Sequence, residues 1–187
     1  MSIITTFTGR QVDLLHLRVE DVDVIDIAHA LAHICRWSGH TREFYSVAQH
    51  SVLVGHRVYA RSGSPALALA GLFHDASEAY LGDMASPLKR TAWAAGYRHL
   101  ECDVMGAVAN RFGLLNEMPR IVREADLELL ATEARDLMPV SPVWSDADDM
   151  PPALPERLRV WTSELSEQAF LLAWERYAAA VAAGPVL

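Results

Sequence analysis

The stretch Leu67–Lys89, LALAGLFHDASEAYLGDMASPLK, decides how the chain folds. From Ala66 to Phe73 it carries only Ala, Leu, Gly and Phe. A helix that is apolar nearly all round belongs at the centre of a bundle, not on its surface. Ser64-Pro65 supplies an N-cap residue followed by proline at the first helical position, so the helix opens there. The run ends on His74-Asp75, two metal-binding side chains where burial should be deepest. A buried polar group left unpaired costs about 1–3 kcal/mol, and more if it is charged. Such a pair is expected only where something binds it.

Helical periodicity continues on both sides of this stretch. Residues 1–25 are rich in Thr, Val, Ile and Asp, and Thr8-Gly9-Arg10 signals the turn of a short β-hairpin. Asp26 is expected to cap a first helix running to about Cys35. A second should cover about Glu43 to Arg61, with Phe44, Val47, Ser51, Val54 and Val58 on one face. After the central helix, Gly82 and Pro87 interrupt the pattern. A fourth helix follows from about Thr91 to Phe112, stopped by Gly113, and a fifth from about Met118 to Leu137. Residues 139–159 carry five prolines and the acidic run SDADD, which predicts a long loop. A last helix spans about 163–181. The expected class is all-α: one domain over residues 1–187, about six helices, with a minor β appendage at the N-terminal end.

Composition limits the partners. A net charge of −8 argues against a surface that coats a nucleic-acid polymer or an anionic membrane. No stretch is apolar and long enough to span a bilayer. The start, MSIITTFTGRQVDLL, lacks a basic segment followed by an apolar one, so no signal peptide is expected. Cys35 and Cys102 have no metal or redox spacing and read as reduced, buried residues of a cytosolic protein.

Two further ligand-type residues match His74 and Asp75. His50 flanks the buried face of the second helix, three residues after Val47 and four before Val54. Asp126 shares a face of the fifth helix with Val122, Leu129 and Glu133. His74 and Glu78, one turn apart, should share a face of the third. Three helices therefore each turn a ligand-type residue inward. A lone histidine or aspartate on an apolar face is usually a core residue satisfied by a backbone group, and Asp126 could simply pair with an arginine. Geometry alone leaves both readings open. His29 and His33 are also one turn apart, but no glutamate follows His29 directly and the zinc-protease pattern is absent. That pair is not expected to hold metal, and His29→Ala should leave metal content unchanged.

The pattern His50, His74-Asp75, Asp126 resembles the HD-domain phosphohydrolase superfamily. The blocks HDASEAYLGDMASPLK and CRWSGHTREFYSVAQHS are similar to its small bacterial and phage 5′-deoxynucleotidase branch, which includes phage dATP triphosphohydrolases. The likeness runs from about Asp26 to Leu137, whereas residues 139–187 match no motif. The resemblance implies an HD-type helical bundle with one divalent transition metal per chain, held by His50, His74, Asp75 and Asp126. A mixed nitrogen and oxygen set suits Mn, Co, Fe, Ni or Zn. It further implies a cytosolic homo-oligomer of bacterial or phage origin that cleaves 5′-deoxynucleotides to deoxynucleoside and phosphate or oligophosphate. A dATP-preferring triphosphohydrolase and a non-catalytic nucleotide-binding regulator are the rival expectations.

The same resemblance gives the remaining residues their expected roles. Glu78 would orient or deprotonate a water, and Asp83 would assist proton transfer or hold the sugar 3′-hydroxyl. Arg36 offers a fork for phosphate oxygens, Trp37 a flat face for the base, and Lys89 a second phosphate contact.

Overall fold

The computed structural model describes residues 2–115, 117–140, 142 and 150–184. Two short antiparallel strands, β1 (Ile3–Thr5) and β2 (Gln11–Asp13), form the N-terminal hairpin, with Ile4 opposite Val12. The expected turn is present, with Gly9 in the left-handed region at φ 86°. The rest is helical: α1 (Val24–His33), α2 (Val47–Ser62), α3 (Pro65–Leu72), α4 (Glu78–Leu81), α5 (Ser86–Lys89), α6 (Ala95–Phe112), α7 (Arg120–Leu137) and α8 (Ser163–Ala182). The all-α bundle with a small hairpin is what the sequence leads one to expect. The six longer helices lie close to their expected positions, except that the third ends at Leu72 and its expected continuation is the separate α4, while α5 falls in the stretch expected to be irregular. The acidic run at 145–149 lies outside the described residues. Among the described residues no helix is long and apolar enough to cross a membrane.

The central helix is α3, packed against α2, α7 and α8. Ser64 caps it by accepting from the Leu67 amide, and Leu72 and Phe73 are fully buried. Two glycines let α2 and α3 approach more closely than side chains would allow. A Cβ on Gly55 would lie 3.1 Å from the Ala68 carbonyl oxygen, and one on Gly71 would lie 3.2 Å from the Gly55 Cα. This contact fixes how α2 lies along α3, with His50 in the first turn of α2 and His74 just past the end of α3. A second apolar cluster of Val54, Val58, Val122, Ala125 and Leu129 joins α2 to α7.

The N-cap of α1 is Asp23, not Asp26. Asp26 is buried and accepts from the amide and hydroxyl of Thr8, so it ties the hairpin to α1. Helix α2 begins at Val47, capped by Ser46, and Phe44 lies outside it, half exposed. The cysteines depart from expectation as well: Cys102 is exposed on α6 and Cys35 is half-buried.

The segment that leads into α8 is strapped to α7 and α2. Asp136 accepts from the Arg135 and Arg157 guanidinium groups and from the Leu158 amide. Gln49 donates to the Arg159 carbonyl at 2.7 Å and accepts from the Trp161 amide at 2.9 Å. Those donors hold the Asp136 carboxyl below the usual carboxylate range, Arg135 first. A depressed folded-state pKa contributes stability that is present above the unfolded value and lost as pH falls through the folded one. Asp136→Asn should therefore cost about 1–3 kcal/mol at neutral pH, the worth of hydrogen bonds to a charged group. The difference from wild type should shrink below about pH 4 as the unfolded carboxyl, near 3.9, takes up its proton. Urea melts of both proteins across pH measure this, and a gap that persists at low pH would contradict it.

Candidate metal centre

Four side chains from three parts of the chain converge on one point. His50 comes from the first turn of α2 and is fully buried. His74 and Asp75 lie in the turn after α3, and Asp126 lies on α7. His50 Nε2 is 3.2 Å from His74 Nε2, 3.1 Å from Asp126 Oδ1 and 3.8 Å from Asp75 Oδ2. His74 Nε2 is 3.2 Å from Asp75 Oδ2 and 3.9 Å from Asp126 Oδ1. His50, His74 and Asp75 form a cluster able to hold a metal ion.

The other nitrogen of each ring shows what the first is free to do. His74 Nδ1 is 2.8 Å from the Gly71 carbonyl, which only accepts, so Nδ1 carries the proton. His50 Nδ1 donates to Glu133 Oε1 at 2.6 Å. In neutral imidazoles both Nε2 atoms then present lone pairs to each other at 3.2 Å. That arrangement is repulsive unless a positive charge lies between them, and metal-bound histidines are oriented in this way by outer hydrogen bonds. Protons respond to the same field. Burial alone would lower the His74 pKa, but the Asp75 and Asp126 carboxylates raise it to about 9. His50 is also raised, against its burial and Arg36, by Glu133 and Asp126. The residues fit a divalent cation.

The turn that carries the ligands is not the continuous helix that the sequence suggests. Helix α3 stops at Leu72, and the amides of Ala76, Glu78, Ala79 and Tyr80 reach back three residues instead of four. The reason is local. His74 Nδ1 takes the Gly71 carbonyl, which the Asp75 amide would have used had the helix continued. His74 and Glu78 therefore sit on different elements and do not share a helix face.

Glu78 is buried at the first position of α4. Its Oε1 accepts from Lys89 Nζ at 3.1 Å, while Oε2 is buried with no protein partner among the described residues. Burial, followed by the charges of Asp75 and Asp83, pushes its pKa up to about 8. At neutral pH the carboxyl thus carries a proton that it can give up or regain, and a cation at the cluster would draw its pKa down. Asp83 is half-buried and raised in the same direction, first by burial, with Arg36 and Lys89 opposing.

Arg36 and Lys89 are more committed than the sequence suggests. Arg36 donates from Nη1 to Asp75 Oδ2 at 3.2 Å and from Nε to Glu133 Oε2 at 3.3 Å. Lys89 Nζ also donates to Glu101 Oε1 at 2.7 Å. The Trp37 indole N–H donates to Glu133 Oε2 at 3.1 Å. Trp37 and Ser38 have φ of 56° and 51°, and Gly39 follows at 79°. Two non-glycine residues held in the left-handed region mark a strained turn of the kind found at functional sites. The Arg36 amide donates to the Tyr45 carbonyl across the base of this loop, and the Arg42 amide donates to the Leu137 carbonyl, which ties the loop to the end of α7.

No protein-family model matches the chain. It is 40% identical to uncharacterized protein YfdR of Escherichia coli (strain K12) over 137 residues, 73% of this chain and 73% of that protein. The chain belongs to the YfdR family. The chain is also 39% identical to uncharacterized protein RCAP_rcc00048 of Rhodobacter capsulatus over 149 residues, 74% of each.

In this YfdR-family chain the nine residues expected at a site divide into two groups. His50, His74, Asp75 and Asp126 form the cluster. Glu78, Asp83, Arg36, Trp37 and Lys89 surround it, with Arg36 touching a cluster residue directly. Glu133 is the residue that sequence reasoning left out. Fully buried, it serves His50, Arg36 and Trp37 at once. Burial would raise its pKa, but Arg36 and His50 hold it below the usual carboxylate range. Its signal in the sequence is a charged residue on the apolar face of α7, seven positions after Asp126.

Proposed function

We propose that the chain is a metal-dependent phosphohydrolase of the HD-domain superfamily that converts a 5′-deoxynucleotide to its deoxynucleoside. The observation that carries this reading is the pair of His Nε2 atoms facing each other at 3.2 Å between two carboxylates, with both Nδ1 atoms already used. His50, His74, Asp75 and Asp126 would hold one divalent transition metal. A bound metal of this kind lowers the pKa of its water and polarises a phosphoryl oxygen.

The chain's own residues supply the rest. Glu78 holds or moves a proton at its unpartnered Oε2, on the water or on the leaving 5′-oxygen. Asp83 assists that transfer or takes the sugar 3′-hydroxyl. Arg36 fixes Asp75 and Glu133, and through Glu133 the tautomer of His50. Because Arg36 and Lys89 each already face two carboxylates, little side-chain charge remains for a long phosphate chain. This favours a monophosphate over a triphosphate. The substrate is a small anion in a chain of net charge −8, so the centre and not the surface attracts it.

Product analysis with the common dNMPs and dNTPs, in Mn, Co or Zn, tests the proposal. Deoxynucleoside and phosphate should appear from monophosphates, and only with metal. Tripolyphosphate release from dATP would select the triphosphohydrolase reading. Tight nucleotide binding without turnover would select a regulatory one. Trp37→Ala should alter the ranking of bases in kcat/KM, since stacking on an aromatic ring is worth about 1–3 kcal/mol per base. An unchanged ranking would return Trp37 to the role of a core residue.

A further inference from the structure

His29 and His33 lie on the last turns of α1, outside the cluster described above. Sequence alone sets this pair aside because no glutamate follows His29 and the zinc-protease pattern is absent, so that His29→Ala is expected to leave metal content unchanged; a third ligand reverses that expectation. The fold supplies one from 138 residues away, where Glu167 of α8 places Oε2 3.0 Å from His29 Nδ1. The two side chains are 28% and 24% exposed, so a cation there would be partly shielded from water. His33 Nδ1 is 2.8 Å from the His29 carbonyl, which can only accept. His33 Nε2 is thereby left as the nitrogen with the lone pair, the same device that orients His74. One donor atom from each of His29, His33 and Glu167 falls within 4.8 Å of the others. Phe7 stacks on the His29 ring at 3.6 Å with 8° between planes, which limits how that ring can turn.

An ion pair between His29 and Glu167 would not require a third donor turned toward the same space. We propose that His29, His33 and Glu167 form a second transition-metal site that clamps the end of α1 to the first turns of α8. Two imidazoles and a carboxylate suit Zn(II), Ni(II) or Cu(II). The site is more open to solvent than the centre at His50 and binds more weakly. Its ligands come from distant segments, so metal binds the folded chain in preference to the unfolded one and stabilises it. This site is independent of the phosphohydrolase reading.

Calorimetric titration of the metal-stripped full chain with Zn(II) tests the proposal. Wild type should take up two equivalents, one tight and one weaker. His33 is exposed at the helix end, so His33→Ala should keep the fold while weakening the second equivalent at least about 100-fold, since outer partners alone are worth about 10–100-fold. Glu167→Gln should do the same, and Asp126→Ala should weaken the tight equivalent only, at least about 100-fold. In the Asp126→Ala background zinc should still raise the melting temperature, and adding His33→Ala should reduce that rise. A single equivalent in wild type, or two equivalents of unchanged affinity in both His33→Ala and Glu167→Gln, overturns the proposal. If Asp126→Ala has no effect while His33→Ala does, the centre at His50 fails and this site stands.

Discussion

Glu78→Gln should bind metal and nucleotide as wild type does, yet turn over roughly 10²–10⁴-fold more slowly, the usual worth of a positioned acid–base group. Glutamine fills the same buried space and still accepts from Lys89, so packing and the ion-pair neighbourhood change little. What is lost is the ionisable proton, whose pKa burial and the nearby carboxylates raise to about 8 before a cation draws it down. The expected signature is a fall in kcat with KM little altered, because the missing interaction belongs to the chemical step. A variant that hydrolyses deoxynucleotides at near wild-type rate would remove Glu78 from the mechanism. One that loses metal as well would make it part of the cluster's framework.

Asp126→Ala should weaken metal binding at the centre at least about 100-fold, as a direct ligand outweighs the outer partners worth about 10–100-fold. Wild-type affinity should also depend on pH in a defined direction. Below a His74 pKa of about 9 the incoming metal must displace a proton from that ring. Affinity should therefore rise with pH, by about tenfold per unit for each proton released, and level off above about pH 9. Because His50 is raised as well, the slope should steepen toward acid. Competition titrations with a chelator across this range provide the measurement. A flat profile would mean that the imidazoles are not the ligands.

The central helix was the most legible part of the sequence. Ser64-Pro65 and the unbroken apolar run specify its start and its burial, and both are local properties. The four cluster residues could also be picked out, because each is a ligand-type side chain on a face that is otherwise apolar. Where side chains compete for backbone groups, periodicity failed. His74 captures the Gly71 carbonyl and ends α3 early, and Thr8 claims Asp26, so the cap falls to Asp23. The partners of Arg36, Lys89 and Glu133 were hidden for a different reason. Each choice among several carboxylates depends on distances set by the packing of α2 against α3 and α7. The contact of Gly55 with Gly71 shows how such distances arise, since neither glycine sits in a turn that would advertise it.

Glu133 gives a single carboxylate to an imidazole, a guanidinium and an indole, and that sharing has a thermodynamic consequence. A ligand that draws the Trp37 indole away leaves the carboxylate's charge more concentrated on His50, which makes Nε2 a better electron donor. Whatever factor the nucleotide thereby applies to the affinity for metal, the metal must apply to the affinity for nucleotide. Loading of the two would then be reciprocal, and neither constant would have a single value without stating the concentration of the other.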